Sequence, residues 1–98
     1  MMIEHMVWLK FSESTSREQK DEVIHRLVAL KNDIAGIVEY NAGHNFSERS
    51  NGFDVGLRVR FVSKVALDKY VPHPKHVSVQ QFMKDVGLQE TMALDFEV

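Results

Sequence analysis

The chain predicts an α+β fold of the ferredoxin-like kind: a four-stranded antiparallel sheet with its helices on one face. Three observations predict it. Period-two alternation marks the first, third and last extended stretches, and apolar residues recur at helical spacing in the segment after the first. The order of elements is β-α-β-β-α-β. The second helical region is interrupted by both of the chain's prolines.

Residues 2–11, MIEHMVWLKF, place Ile3, His5, Val7, Leu9 and Phe11 on one side and Met2, Glu4, Met6, Trp8 and Lys10 on the other. This is the first strand. STSREQKDEVIHRLVALKND is a helix, with Thr15 and Glu18 spaced as a capping box and Val23, Leu27, Leu30 and Ile34 forming its apolar stripe. Gly36 marks its exit. IVEYNAGHN is the second strand, followed by a polar turn in which Asn51-Gly52 suits positive φ. FDVGLRVRF alternates most clearly, with Phe53, Val55, Leu57, Val59 and Phe61 on one face. Ser63 caps a short helix through Tyr70. Val71 before Pro72 is expected to leave the α region, as is His73 before Pro74. Pro74 suits the first position of a new helix with His73 as its N-cap, running to about Val86 and closed by Gly87. QETMALDFEV is the last strand, its apolar side formed by Met92, Leu94, Phe96 and Val98.

At 98 residues the chain is one domain, 1–98, of a size that buries roughly 60–70% of its unfolded surface. With no cysteine, disulfides and thiolate metal sites are excluded. Twelve basic and fourteen acidic residues, without long runs of either sign, argue against nucleic acid as a partner. No stretch reaches the ~20 apolar residues of a membrane span. The expectation is a soluble cytoplasmic domain with no membrane partner.

The helix-covered face is expected to carry His5, Val7 and Leu9, then Leu57 and Val59, then Met92 and Leu94. The other face carries Met2, Met6 and Trp8 beside Arg58, Arg60, Asp95 and Glu97. A large apolar side chain gains roughly 1.5–3 kcal/mol on burial, so this face predicts a homodimer in which two open faces meet. Arg58 and Arg60 would then offer ion pairs to Asp95 and Glu97.

YVPHPKHV, residues 70–77, holds the strongest candidates for chemistry. Tyr70 and His76 stand on either side of the helix break, and His5 looks up from the sheet. An imidazole in the first turn of a helix is disfavoured as a cation, which suits His76 to act as a general base. His25 and His44 read as surface residues, and Asn45, Ser50 and Asn51 as residues that shape the turn. His73-x-x-His76 with His5 would supply three nitrogen ligands, but the prolines distort that spacing and no carboxylate motif joins it, so no metal is expected.

IEHMVWLKF, GHNFSERSNGFD, FVSKVALDKYVPHPKHV and the closing DFEV resemble the Dabb family, the stress-responsive A/B-barrel domain proteins of the dimeric α/β-barrel superfamily. The resemblance spans nearly the whole chain. It implies a ferredoxin-like protomer and a homodimer whose sheets close a barrel. It also implies a pocket between sheet and helices, since a polyketide cyclase of that family closes a ring there by aldol chemistry without a cofactor. That cyclase's essential tyrosine and histidine match Tyr70 and His76, and a further pocket histidine matches His5. Helix positions Val23, Ile24 and Leu27 match pocket positions that are aromatic in the cyclase, and Pro72 departs from the family pattern.

The expected pocket lining is therefore Val7, Leu9, Val23, Ile24, Leu27, Val59, Met92 and Leu94, around His76, Tyr70 and His5. The expected function is binding of a small hydrophobic carbonyl compound, with cyclase-like proton transfer as its chemistry. The alternatives are a non-enzymatic stress-related dimer and, by fold analogy alone, a monooxygenase-like enzyme.

Overall fold

The structure, a computed structural model, describes residues 1–98. Its elements are β1 (Ile3–Phe11), α1 (Arg17–Asp33), β2 (Ile37–His44), β3 (Val55–Phe61), α2 (Lys64–Tyr70), α3 (Pro74–Val86) and β4 (Leu88–Glu97). The sheet order is β2-β3-β1-β4, and every neighbouring pair is antiparallel. This is the ferredoxin-like arrangement expected from the element order.

Strand alternation sets the core. Ile3, Val7, Leu9 and Phe11 of β1 and Val55, Leu57, Val59 and Phe61 of β3 are buried beneath Val23, Leu27 and Leu30 of α1. Helix α1 begins one residue later than its expected cap. Ser16 is the N-cap: its hydroxyl accepts from the Gln19 N–H, while the Gln19 side chain accepts from the Ser16 N–H. Thr15 is instead buried, and its hydroxyl donates to the Val86 carbonyl at 2.6 Å. A hydroxyl can serve as a cap or tie two elements together, and Thr15 ties α1 to the end of α3. Asn51 and Gly52 both take positive φ, as the turn requires.

The last strand corrects the expected faces. His5 pairs with Asp95, Val7 with Ala93 and Leu9 with Thr91, so these β4 residues share the helix-covered side. Met92, Leu94 and Phe96 stand opposite Trp8, Met6 and Glu4 on the open side, each at least 44% exposed. Alternation identifies the two faces of a strand but not which one meets the helices. A one-residue change of register exchanges them.

The predicted ion pairs are revised by the same geometry. Glu4, buried on the open side, accepts from Arg58 at 3.1 and 3.2 Å and also from Arg60. Arg58 further donates to Glu39 at 2.9 Å. Burial pushes the Glu4 carboxyl up, but the hydrogen bonds and charges of the two guanidinium groups outweigh it and hold its pKa below the usual range. Asp95 lies on the other side, and the arginines are satisfied within the chain.

Gly87 closes α3 at φ 118, and a Cβ there would stand 2.5 Å from the Thr15 hydroxyl oxygen. Gly87→Ala combines left-handed strain with that clash. We expect it to lower unfolding free energy by more than about 1 kcal/mol in urea titrations, while Ser16→Gly changes it by only a few tenths.

Candidate active site

A cavity of about 260 Å³ opens between α3 and the β1–β4 half of the sheet. His5, Val7 and Leu9 form its floor, with Thr91 and Ala93 beside them on β4. Tyr70 and His76 line its wall from either side of the helix break.

The break differs in detail from its expected form. Val71 keeps αR geometry (φ −54, ψ −50), and its N–H donates to the Leu67 carbonyl, so α2 ends one residue nearer Pro72 than a proline usually allows. His73 does leave the helical region at ψ 132. Its ring Nδ1 accepts from the Lys75 N–H at 3.1 Å, and Pro74 starts α3. The turn points the Val71 carbonyl at His76, whose Nδ1 lies 2.9 Å away. A carbonyl only accepts, so His76 carries its proton on Nδ1. In the neutral ring Nε2 is then the basic nitrogen.

Burial pushes the His76 pKa down. The hydrogen bond to the Val71 carbonyl opposes that fall, and weaker repulsion from His5 and then His73 adds to it.

Tyr70 is almost completely buried. Its ring lies over that of His76, with centroids 4.2 Å apart at 34°, and meets Phe61 edge-on at 5.0 Å and His5 at 6.1 Å. Its hydroxyl is 2.8 Å from that of Tyr40. Burial pushes the Tyr70 pKa up to about 12, moderated by the hydrogen bond from Tyr40; burial raises Tyr40 further, and the Tyr70 charge and hydrogen bond add to it. Either hydroxyl can donate in this pair. With Tyr40 donating, the Tyr70 proton is left for a second acceptor.

His5 is oriented by Asp95, whose carboxylate accepts from its Nδ1. Tyr40, Val59, His5 and Asp95 form one rung across the four strands.

The structure thus brings His5, Tyr70 and His76 to one cavity, with Val7, Leu9 and Leu27 among the expected lining. Val23 and Val59 are wholly enclosed in the core, and Ile24 packs against it half-buried. Neither they nor Ile24 line the cavity. Met92 and Leu94 are on the opposite face and are replaced by Thr91 and Ala93. Of the remaining histidines, His25 is exposed, whereas His44 is half-buried and 2.6 Å from Asp21. Asn45 and Ser50 bond to their own loop backbone.

Sequence reasoning passed over Tyr40, Gln80 and Lys84, and it placed Asp95 on the wrong face. The spacing of His76, Gln80 and Lys84 at i, i+4 and i+8 was the available signal for the two α3 residues.

Residues 3–98 match the model of the stress responsive A/B barrel domain. The chain belongs to that family. This Dabb domain is 28% identical over 79 residues to olivetolic acid cyclase of Cannabis sativa, covering 79% of this chain and 78% of that protein. A dimeric ferredoxin-like protein of unknown function from Jannaschia sp. CCS1 superposes with a TM-score of 0.82 at 25% identity, with all of both chains covered. Hydroxynitrile lyase from Passiflora edulis gives 0.85 at 17% identity, over 99% of the Dabb chain and 93% of that chain, a likeness of fold alone.

Folding holds His76 neutral, so its contribution to stability is complete above the unfolded value of about 6.5 and falls as pH drops below it. His76→Gln should flatten the acid-side decline in urea midpoint below about pH 6.5. An unchanged slope would separate His76 from acid sensitivity.

Proposed function

We propose that this Dabb domain binds a small hydrophobic carbonyl compound and removes a proton from the carbon next to the carbonyl, without a cofactor. The observation that carries the reading is the His76–Val71 hydrogen bond. It fixes the tautomer so that Nε2 is basic, in a ring that burial keeps neutral at physiological pH.

In the proposed reaction the Cα–H bond breaks and its proton passes to His76 Nε2. The electron pair becomes the π bond of an enolate, and the negative charge gathers on the former carbonyl oxygen. The Tyr70 hydroxyl, polarised by Tyr40, donates to that oxygen. His5, held by Asp95, positions the carbonyl. The enolate then attacks a second carbonyl, as in an aldol ring closure, or is reprotonated. Olivetolic acid cyclase lends this reading support as a relative, and the apolar Val7, Leu9 and Leu27 walls favour an aliphatic substrate over a strongly polar one.

Proton abstraction can be followed with a surrogate. In D₂O the protein should speed deuterium incorporation beside the carbonyl of 2-heptanone, read by ¹H NMR. His76→Ala should lower that rate about a hundredfold, the usual contribution of a positioned base. Wild-type and His76→Ala rates that coincide would remove His76 from the chemistry.

The chain is further proposed to act as a homodimer through the open face of the sheet. Gly43 and Gly56 are cross-strand partners, and Gly56 lies opposite Trp8. A Cβ built on either glycine meets nothing within 4 Å, so neither is required by packing inside the chain. Glycine weakens a strand interior and marks a place of close approach from outside. Beside them a hollow of about 310 Å³ is bordered by Met6, Trp8 and Arg58. One face thus carries both projecting apolar groups and the space to receive them, the self-complementarity that a two-fold interface needs. The Jannaschia relative, described as dimeric, supports the same reading. Gly56→Leu should leave the protomer folded by circular dichroism yet shift the mass measured by light scattering toward the monomer. A wild-type protein that is monomeric at micromolar concentration would reject the interface.

A further inference from the structure

We propose that the end of the cavity remote from His76 is an anion subsite. There the Lys84 ammonium, with Thr91 lining the same cavity, receives the carboxylate of an oxo acid. The proposal rests on the carbonyl reading of the same site and narrows its substrate class.

Two elements run along the cavity in the same sense. On α3, His76, Gln80 and Lys84 line it at successive turns. On β1, His5, Val7 and Leu9 do so, with Thr91 paired to Leu9 at the same end as Lys84. Eight helical residues rise about 12 Å, and four strand residues span about 13 Å. The two rulers agree, so the polar ends of the cavity are separated by one length whichever wall is measured.

Charge orients a ligand between those ends. Asp95 stands beside His5, next to the reacting groups, and disfavours a second carboxylate there. Lys84 forms no salt bridge within the chain. Val7 and Ala93 form the apolar floor between the two ends. A molecule with a carbonyl at one end, a methylene chain and a carboxylate at the other satisfies all three regions in one orientation. Allowing about 3 Å of hydrogen-bond distance and about 1.2 Å of C–O bond at each end of a 12 Å span leaves about 4 Å between carbonyl and carboxylate carbons. That separation is about three C–C bonds of roughly 1.5 Å in a zigzag chain.

4-Oxopentanoate has that spacing, and its methyl ester removes only the charge. Both would be titrated into isotopically labelled protein at neutral pH and low salt, with affinity read from chemical shifts of cavity residues. The acid should bind about tenfold more tightly than the ester, and pyruvate, which is too short to reach both ends, should lose that advantage. Lys84→Met should bring the acid down to the ester's affinity without changing the ester, while Lys84→Arg keeps the preference. Added salt should narrow the gap. Equal affinities for acid and ester in the wild type, or a preference that survives Lys84→Met, would overturn the anion subsite and leave the carbonyl reading standing. Failure of acid and ester alike to shift cavity resonances at millimolar concentration would overturn both.

Discussion

Burial of the Tyr70 ring is the constraint on which this structure depends. The ring fills the space between β3 and the start of α3, touching Phe61, His5 and His76 while its hydroxyl reaches Tyr40. Burying such a ring is worth a few kcal/mol, and aromatic pairs add about 0.5–1.5 kcal/mol each. The same ring forms part of the cavity wall. The core and the site therefore share a side chain, and α2 has to end at once after Tyr70 for α3 to bring His76 over it. Two prolines within three residues fulfil that demand.

The two cavity histidines are held by different acceptors. His5 meets a carboxylate, which anchors the ring. His76 meets a backbone carbonyl, which fixes the tautomer but supplies no counter-charge. Neighbouring groups in unlike environments are how one site divides positioning from proton transfer. The open face of the sheet handles charge differently: Glu4 is enclosed by two guanidinium groups of its own chain, so the apolar residues around it are left without an unmatched ion.

Much of this was legible in the sequence because it rests on local rules. Helical spacing and strand alternation located the elements, and Ser63, His73, Pro74 and Gly87 acted as caps and first turns do. The convergence of His5, Tyr70 and His76 followed from the helix break and from the family resemblance together. What escaped was non-local. The facing of β4 depends on its register with β1, so Asp95 and Met92 exchanged roles. Thr15 and Ser16 both suit a helix start, and only the contact with Val86 decides between them. Tyr40 looks like an ordinary strand tyrosine until the fold brings it against Tyr70, thirty residues away.

The rung from Tyr40 through Val59 and His5 to Asp95 crosses the sheet from one edge to the other, about 14 Å at the usual strand spacing. Asp95 holds the ring of His5 at one end, and at the other the Tyr40 hydroxyl shares a hydrogen bond with that of Tyr70. In the proposed chemistry, reactivity and ligand choice fall on separate residues. Under the proposed reading, substitutions at Gln80 and Lys84 of α3 reshape what the cavity admits, whereas a change at Tyr40 on β2, which does not line the cavity, acts on the Tyr70 hydroxyl.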